Sequence, residues 1–170
     1  FLARSVAYLE AMGPEDGGRE VRRLSREAAA LAHGADGLGA LAKRDGGGHA
    51  EAWHDWFGAL VRDERLDEAT RVGRQGISVI ADIGYRARLG DRLAAVALRL
   101  GDSALAVEAA RGAFRARPTE LRLLQLVVIA EAAGQRQLVL DREAGEVLRP
   151  TWAHGDALAA RVLVLAGRLE

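Results

Sequence analysis

Apolar residues recur along this chain at intervals of three and four, the spacing that gathers them on one face of a helix. Period-two alternation is nowhere sustained. The one β-like stretch, Ile77-Ser78-Val79-Ile80, reads as the end of a helix. A first helix is expected from Leu2 to Met12, broken by the Gly and Pro of the following 13–18 run. A second is expected from Glu20 to His33, interrupted or ended by Gly34, Gly37 and Gly39, with a short helical stretch around Leu38 to Lys43. Arg44-Asp45-Gly46-Gly47-Gly48 is the clearest linker. Beyond it the pattern turns regular, and helices are expected at about 50–64, 66–81, 85–100, 102–116, 119–133, 136–148 and 152–168. Connections this short make neighbouring helices pack antiparallel. The expected class is therefore all-α, with antiparallel helical hairpins stacked as a solenoid. Two regions follow: N-terminal helices with Gly-rich breaks at 1–45, and helical pairs at 50–170, in one continuous domain. The chain opens at Phe1 inside a helical pattern, and the pattern from Thr151 to Glu170 meets no stop signal. It is read as a piece of a longer protein.

Composition agrees with the pattern. Ala, Leu, Arg and Glu, strong helix formers, dominate the 170 residues. The 24 basic side chains balance the 24 acidic ones, and Lys43 is the only lysine. Zero net charge argues against a dedicated nucleic-acid binder, which carries a basic excess. There is no Cys, hence no disulfide, thiol nucleophile or Cys-held metal. That absence also fits the cytoplasm. There is no Asn, hence no N-glycosylation acceptor. No apolar run reaches the ~18 residues of a membrane span.

A search for internal periodicity finds its best unit at Tyr85 to Pro118. Leu93-Ala94 and Ala97 lie in its first helix, Leu100-Gly101-Asp102 at the turn, and Ala106, Ala110 and Ala113-Phe114 in its second helix. This unit resembles the tetratricopeptide repeat, in which small residues let two helices approach closely. Ala94, Gly101, Ala106, Ala113 and Pro118 fall at the matching places. Upstream, Trp53, Phe57-Gly58, Leu60 and Ala69 fit the same frame, with Glu64 at the turn instead of Gly. Downstream, Leu126-Val127, Ala130, Gly134 and Pro150 fit with a one-residue slip. Segments such as Leu66-Asp67-Glu68-Ala69 and Ala113-Phe114-Arg115-Ala116-Arg117-Pro118 are also similar to the helical region of bacterial SWIM-type zinc-finger proteins. The Cys/His zinc module of those proteins is not in this chain.

Candidate chemistry is sparse. The histidines His33, His49, His54 and His154 form no HExxH pair, and Glu51, His54 and Asp55 read as a solvated helix face in place of a metal site. Gly76-Ile77-Ser78-Val79-Ile80 lacks the second Gly of a nucleophile elbow, and Ser103 is explained by helix-start chemistry. Gly34-Ala35-Asp36-Gly37-Leu38-Gly39 follows a helix and not a strand, which disfavours a phosphate cradle. No catalytic, cofactor or metal residue is expected. Arg19, Arg22, Arg23 and Arg26 share one helix face, and are read as paired with neighbouring acids, as Asp67 is with Arg71. Arg111, Arg115 and Arg117 sit near a helix end, where the macrodipole favours cations. Leu121, Leu123, Leu124, Leu126, Val127, Val128 and Ile129 nearly encircle one helix. Such a helix is expected to be covered on most sides; an open side would be a binding surface.

The tetratricopeptide resemblance implies a right-handed solenoid and a non-catalytic scaffold whose first helices line a groove for a protein or peptide. Carried onto this chain, it places Arg88, Asp91, Arg92, Ala95 and Leu98 towards that groove, with Glu51, His54, Gly58 and Val61 from the preceding unit. No nucleic acid and no membrane is implied as partner. The alternative is a structural spacer or dimerisation region of a larger regulatory, zinc-finger-containing protein, and a homodimer is compatible with either.

Overall fold

Small and branched apolar side chains at helical spacing leave this sequence one way to bury them, and every regular element in the described residues is a helix. The computed structural model describes residues 18–168. Its α-helices are α1 (Gly18–Asp45), α2 (Ala50–Arg62), α3 (Leu66–Val79), α4 (Ile83–Arg99), α5 (Ser103–Ala116), α6 (Glu120–Ala132), α7 (Arg136–Val147) and α8 (Asp156–Leu165), with a 3-10 turn at Gly46–Gly48. The expected all-α class holds. The expected helix at Leu2 to Met12 lies outside the described residues.

The chain forms two compact units, one reaching Tyr85 and the other starting at Arg86. The division falls within α4 and not at the Gly-rich stretch after residue 45. That stretch is not a free linker. A Cβ on Gly47 would lie 1.9 Å from the Val79 carbonyl oxygen, and the Gly46 carbonyl accepts a 2.9 Å hydrogen bond from the Trp53 indole. Glycine is used here because backbone meets backbone with no room for a side chain.

In the first unit, α1 is kinked at Gly34, whose φ of 58° and ψ of −139° no other residue adopts cheaply. The expected break at Gly34 is real. Gly37 and Gly39 are instead helical, and the helix resumes at once and runs to Asp45. A Cβ on Gly39 would come within 2.6 Å of the Trp56 ring, so this glycine is a place for the indole to lie. The core of the unit is built on α2, where Trp53, Phe57 and Leu60 are fully buried. Burying each such side chain contributes about 1.5–3 kcal/mol. Ala69, Val72, Gly73 and Gly76 line the buried side of α3, and Ile80, extended after its end, is also buried.

In the second unit, Gly90 of α4 lies against α5 so closely that a Cβ there would stand 3.0 Å from the Ala113 Cβ. Leu93, Ala94, Ala97, Ala106, Ala113 and Phe114 fill the surrounding core. Asp102 caps α5 by accepting from the Leu105 amide at 2.9 Å, so the capping role expected of Ser103 belongs to its neighbour. Thr119 caps α6. The last helix begins at Asp156, later than the pattern suggested, and Trp152 stands in the preceding loop against Phe114 at 6.5 Å between ring centres.

Four helix ends share one geometry. Glu64, Gly101, Gly134 and Gly167 have φ values of 57°, 73°, 65° and 71°. The residue after each donates to the carbonyl five positions back: Arg65 to Leu60, Asp102 to Ala97, Gln135 to Ala130 and Arg168 to Leu163, at 2.9, 2.9, 2.7 and 2.9 Å. This is the left-handed helix stop that glycine favours. It supplies the stop signal that the pattern from Thr151 onward lacked: Gly167 ends the final helix.

Candidate interaction groove

The expected covering of α6 does not occur. On this helix Leu123, Leu126 and Ala130 are buried, while Leu121, Leu124 and Val128 are 66%, 56% and 67% exposed. The open side faces a cavity of about 380 Å³ within the second unit. Asp91, Ala94, Ala95 and Leu98 of α4 line one side, Arg122, Leu124, Gln125, Val128 and Ile129 of α6 the other, and Ala110 of α5 joins them. Alanines keep the lining low, and the branched side chains form the walls. The volume is in the range of small-molecule and side-chain pockets, with few polar groups.

One end of the cavity is polar. Arg122 spans from α6 to Asp91 of α4, with contacts of 2.8 Å through Nη2 and 3.1 and 3.2 Å through Nε. Its Nη1 donates to the Arg117 carbonyl at 3.1 Å. A cation in an apolar helix needs such a partner, because burying it alone is costly. The pair fixes the separation of α4 and α6 at that end.

The structure gathers the sequence-expected residues only in part. Asp91, Ala95 and Leu98 line the cavity. Arg88 and Arg92 lie on the same helix and are not among its lining. Glu51 and His54 belong to the first unit, and both are engaged with Tyr85. The Tyr85 hydroxyl donates to Glu51 Oε1 at 2.8 Å, and the His54 ring nitrogen lies 2.9 Å from the Tyr85 carbonyl, with the rings edge to face. Burial pushes the Glu51 carboxyl up. Hydrogen bonds from its own backbone amide and from Tyr85, with the charges of Arg26 and His49, outweigh it and leave the pKa below the usual value. Gly58 is buried and Val61 half-buried.

Arg122 was not expected as a groove residue, and Leu124, Val128 and Ile129 were expected to bind only if one side of their helix stood open. The signal for the apolar ones is the hydrophobic circuit of α6, which one neighbouring layer cannot cover. For Arg122 it is a lone cation within Leu121-Arg122-Leu123.

Arg23 pairs with Glu20 and Glu27, and Arg26 with Asp55 of α2 at 2.7 Å. The Arg19 side chain is not described. Arg71 approaches Glu68 at 4.0 Å and not Asp67. Among the described residues, no group of three or more His, Asp or Glu could hold a metal ion, and no helix is long and apolar enough to cross a membrane.

Fold and cavity together define the molecule as an all-helical protein with an apolar groove. Compared with known protein families, curated proteins and solved structures, the chain matches none.

Proposed function

We propose that this chain is a non-catalytic interaction scaffold, a tetratricopeptide-like stack of helical hairpins in the cytoplasm, whose α4–α6 groove holds an apolar segment of a partner protein. The observation that carries the reading is the apolar cavity bordered by the exposed Leu124 and Val128. Water held against such a surface is released when an apolar side chain enters. Support for the stack comes from the four matching helix stops at 64, 101, 134 and 167. Further support comes from bridges that join alternate helices at separations near one repeat: Glu51 to Tyr85, Asp91 to Arg122 and Arg111 to Glu143.

The test is selection from a displayed peptide library against the intact chain. Selected peptides should carry large apolar residues at helical spacing. Val128→Glu with Leu124→Glu should weaken them at least tenfold, about 1.4 kcal/mol, with circular dichroism unchanged. Peptides that bind the double variant as well as the native chain would place recognition elsewhere.

A second reading, a dimerisation region, is favoured by Leu121, which is exposed on α6 and is not among the cavity lining. Light scattering decides between the two: a dimer that Leu121→Glu converts to monomer supports it, and a native monomer at high concentration removes it.

A further inference from the structure

A second hollow lies between α5 and α7, about 310 Å³ in volume and lined by Arg111, Arg115 and Arg142 with Glu108, Gln135 and Val139 among the rest. Behind it is Glu143, 1% exposed and the one buried charged residue among those described. Its carboxylate takes the Nε of Arg111 and, at 3.1 and 3.2 Å, the Nε of Arg115. Both arginines are thus anchored through the inner edge of the guanidinium. Arg115 also reaches Glu146 at 3.1 Å. The terminal N–H groups of Arg111 have no protein acceptor, and Arg142 has neither a hydrogen-bonded nor an ion-paired partner among the described residues.

We propose that this hollow is a binding site for a phosphoryl group, received by the terminal N–H groups of Arg111 and by Arg142. A fixed guanidinium fork suits such an oxyanion, and a buried carboxylate behind it removes the cost of orienting it at the moment of binding. A phosphoryl group, with three terminal oxygens, offers donors from two helices more acceptor sites and more charge than the two oxygens of a carboxylate. The site is independent of the apolar groove, since the two share no lining residue.

The experiment titrates the intact chain with inorganic phosphate, O-phosphoserine, acetate and chloride at constant ionic strength, reading arginine Nε–Hε resonances by NMR. Saturable shifts at Arg111 with either phosphate probe are expected, and whichever binds more tightly tells whether the group is free or presented by a larger ligand. Arg142→Gln breaks no hydrogen bond or ion pair among the described residues, so helical content should persist while the affinity falls at least fivefold. Arg136→Gln, on the same helix but outside the hollow, should bind phosphate as the native chain does. The proposal is overturned if chloride or acetate matches phosphate, or if Arg142→Gln leaves the titration unchanged.

Discussion

At the scale of single residues, the charged side chains separate by burial and not by type. Glu143 has two arginine partners and almost no exposure, so Glu143→Ala takes the shared acceptor from two part-exposed arginines and leaves a small void, and should cost about 1–3 kcal/mol in urea denaturation. Arg149→Gln breaks only an exposed 3.0 Å bridge to Glu146 and should cost under about 0.5 kcal/mol. Equal effects of the two would mean that Glu143 is hydrated. The Glu51–Tyr85 pair has a pH signature. The Glu51 pKa is lower in the folded chain than in the unfolded one, so its stabilisation is complete above the unfolded value of about 4.3. It is lost as pH falls through the lower folded value. Tyr85→Phe should therefore destabilise the chain at pH 7 by about 1–2 kcal/mol and by much less near pH 2. A loss independent of pH would assign the effect to packing. Sequence reasoning found the spacing of these residues but not their partners. A buried glutamate and a solvated one look alike in a helix, and what distinguishes them is the arginine pair of another helix.

At the scale of elements, the helices from residue 50 onward were legible because the apolar period fixes each one and glycines mark several of the ends. Observed bounds fall within two residues of expectation for α2 to α7. The Gly-rich stretches were less legible, because glycine serves both as a break and as a place of close approach. Gly34 is the first, while Gly39 and Gly47 are the second. Glu64 is the converse case, a side chain in the left-handed stop that Gly101 and Gly134 occupy. Glu64→Gly should stabilise the chain by about 1 kcal/mol and Gly134→Ala should destabilise it by a similar amount. Thermal denaturation of both tests the assignment, and no gain in Glu64→Gly would show that its side chain offsets the strain. The open side of α6 was named in advance only as an option. Whether a helix apolar all round is covered depends on how many neighbours reach it, which no local pattern contains.

At the scale of the molecule, the chain divides between Tyr85 and Arg86 into two compact units. Trp53 and Phe57 belong to one, Phe114 and Glu143 to the other. Hydrogen exchange on Glu143→Ala should therefore accelerate in α5 and α7 while amides of α2 keep their protection. Uniform acceleration would mean that the chain opens as a single cooperative body. The placement of the tryptophans gives these units distinct optical reporters. Trp53 and Trp56 are buried in the first, Trp53 hydrogen-bonded to a backbone carbonyl and Trp56 with Lys43 over its ring at 5.1 Å. Trp152 is the half-exposed indole of the second. In the Trp152→Phe variant, the intrinsic emission would report the melting of the first unit alone, with no dye attached to the chain.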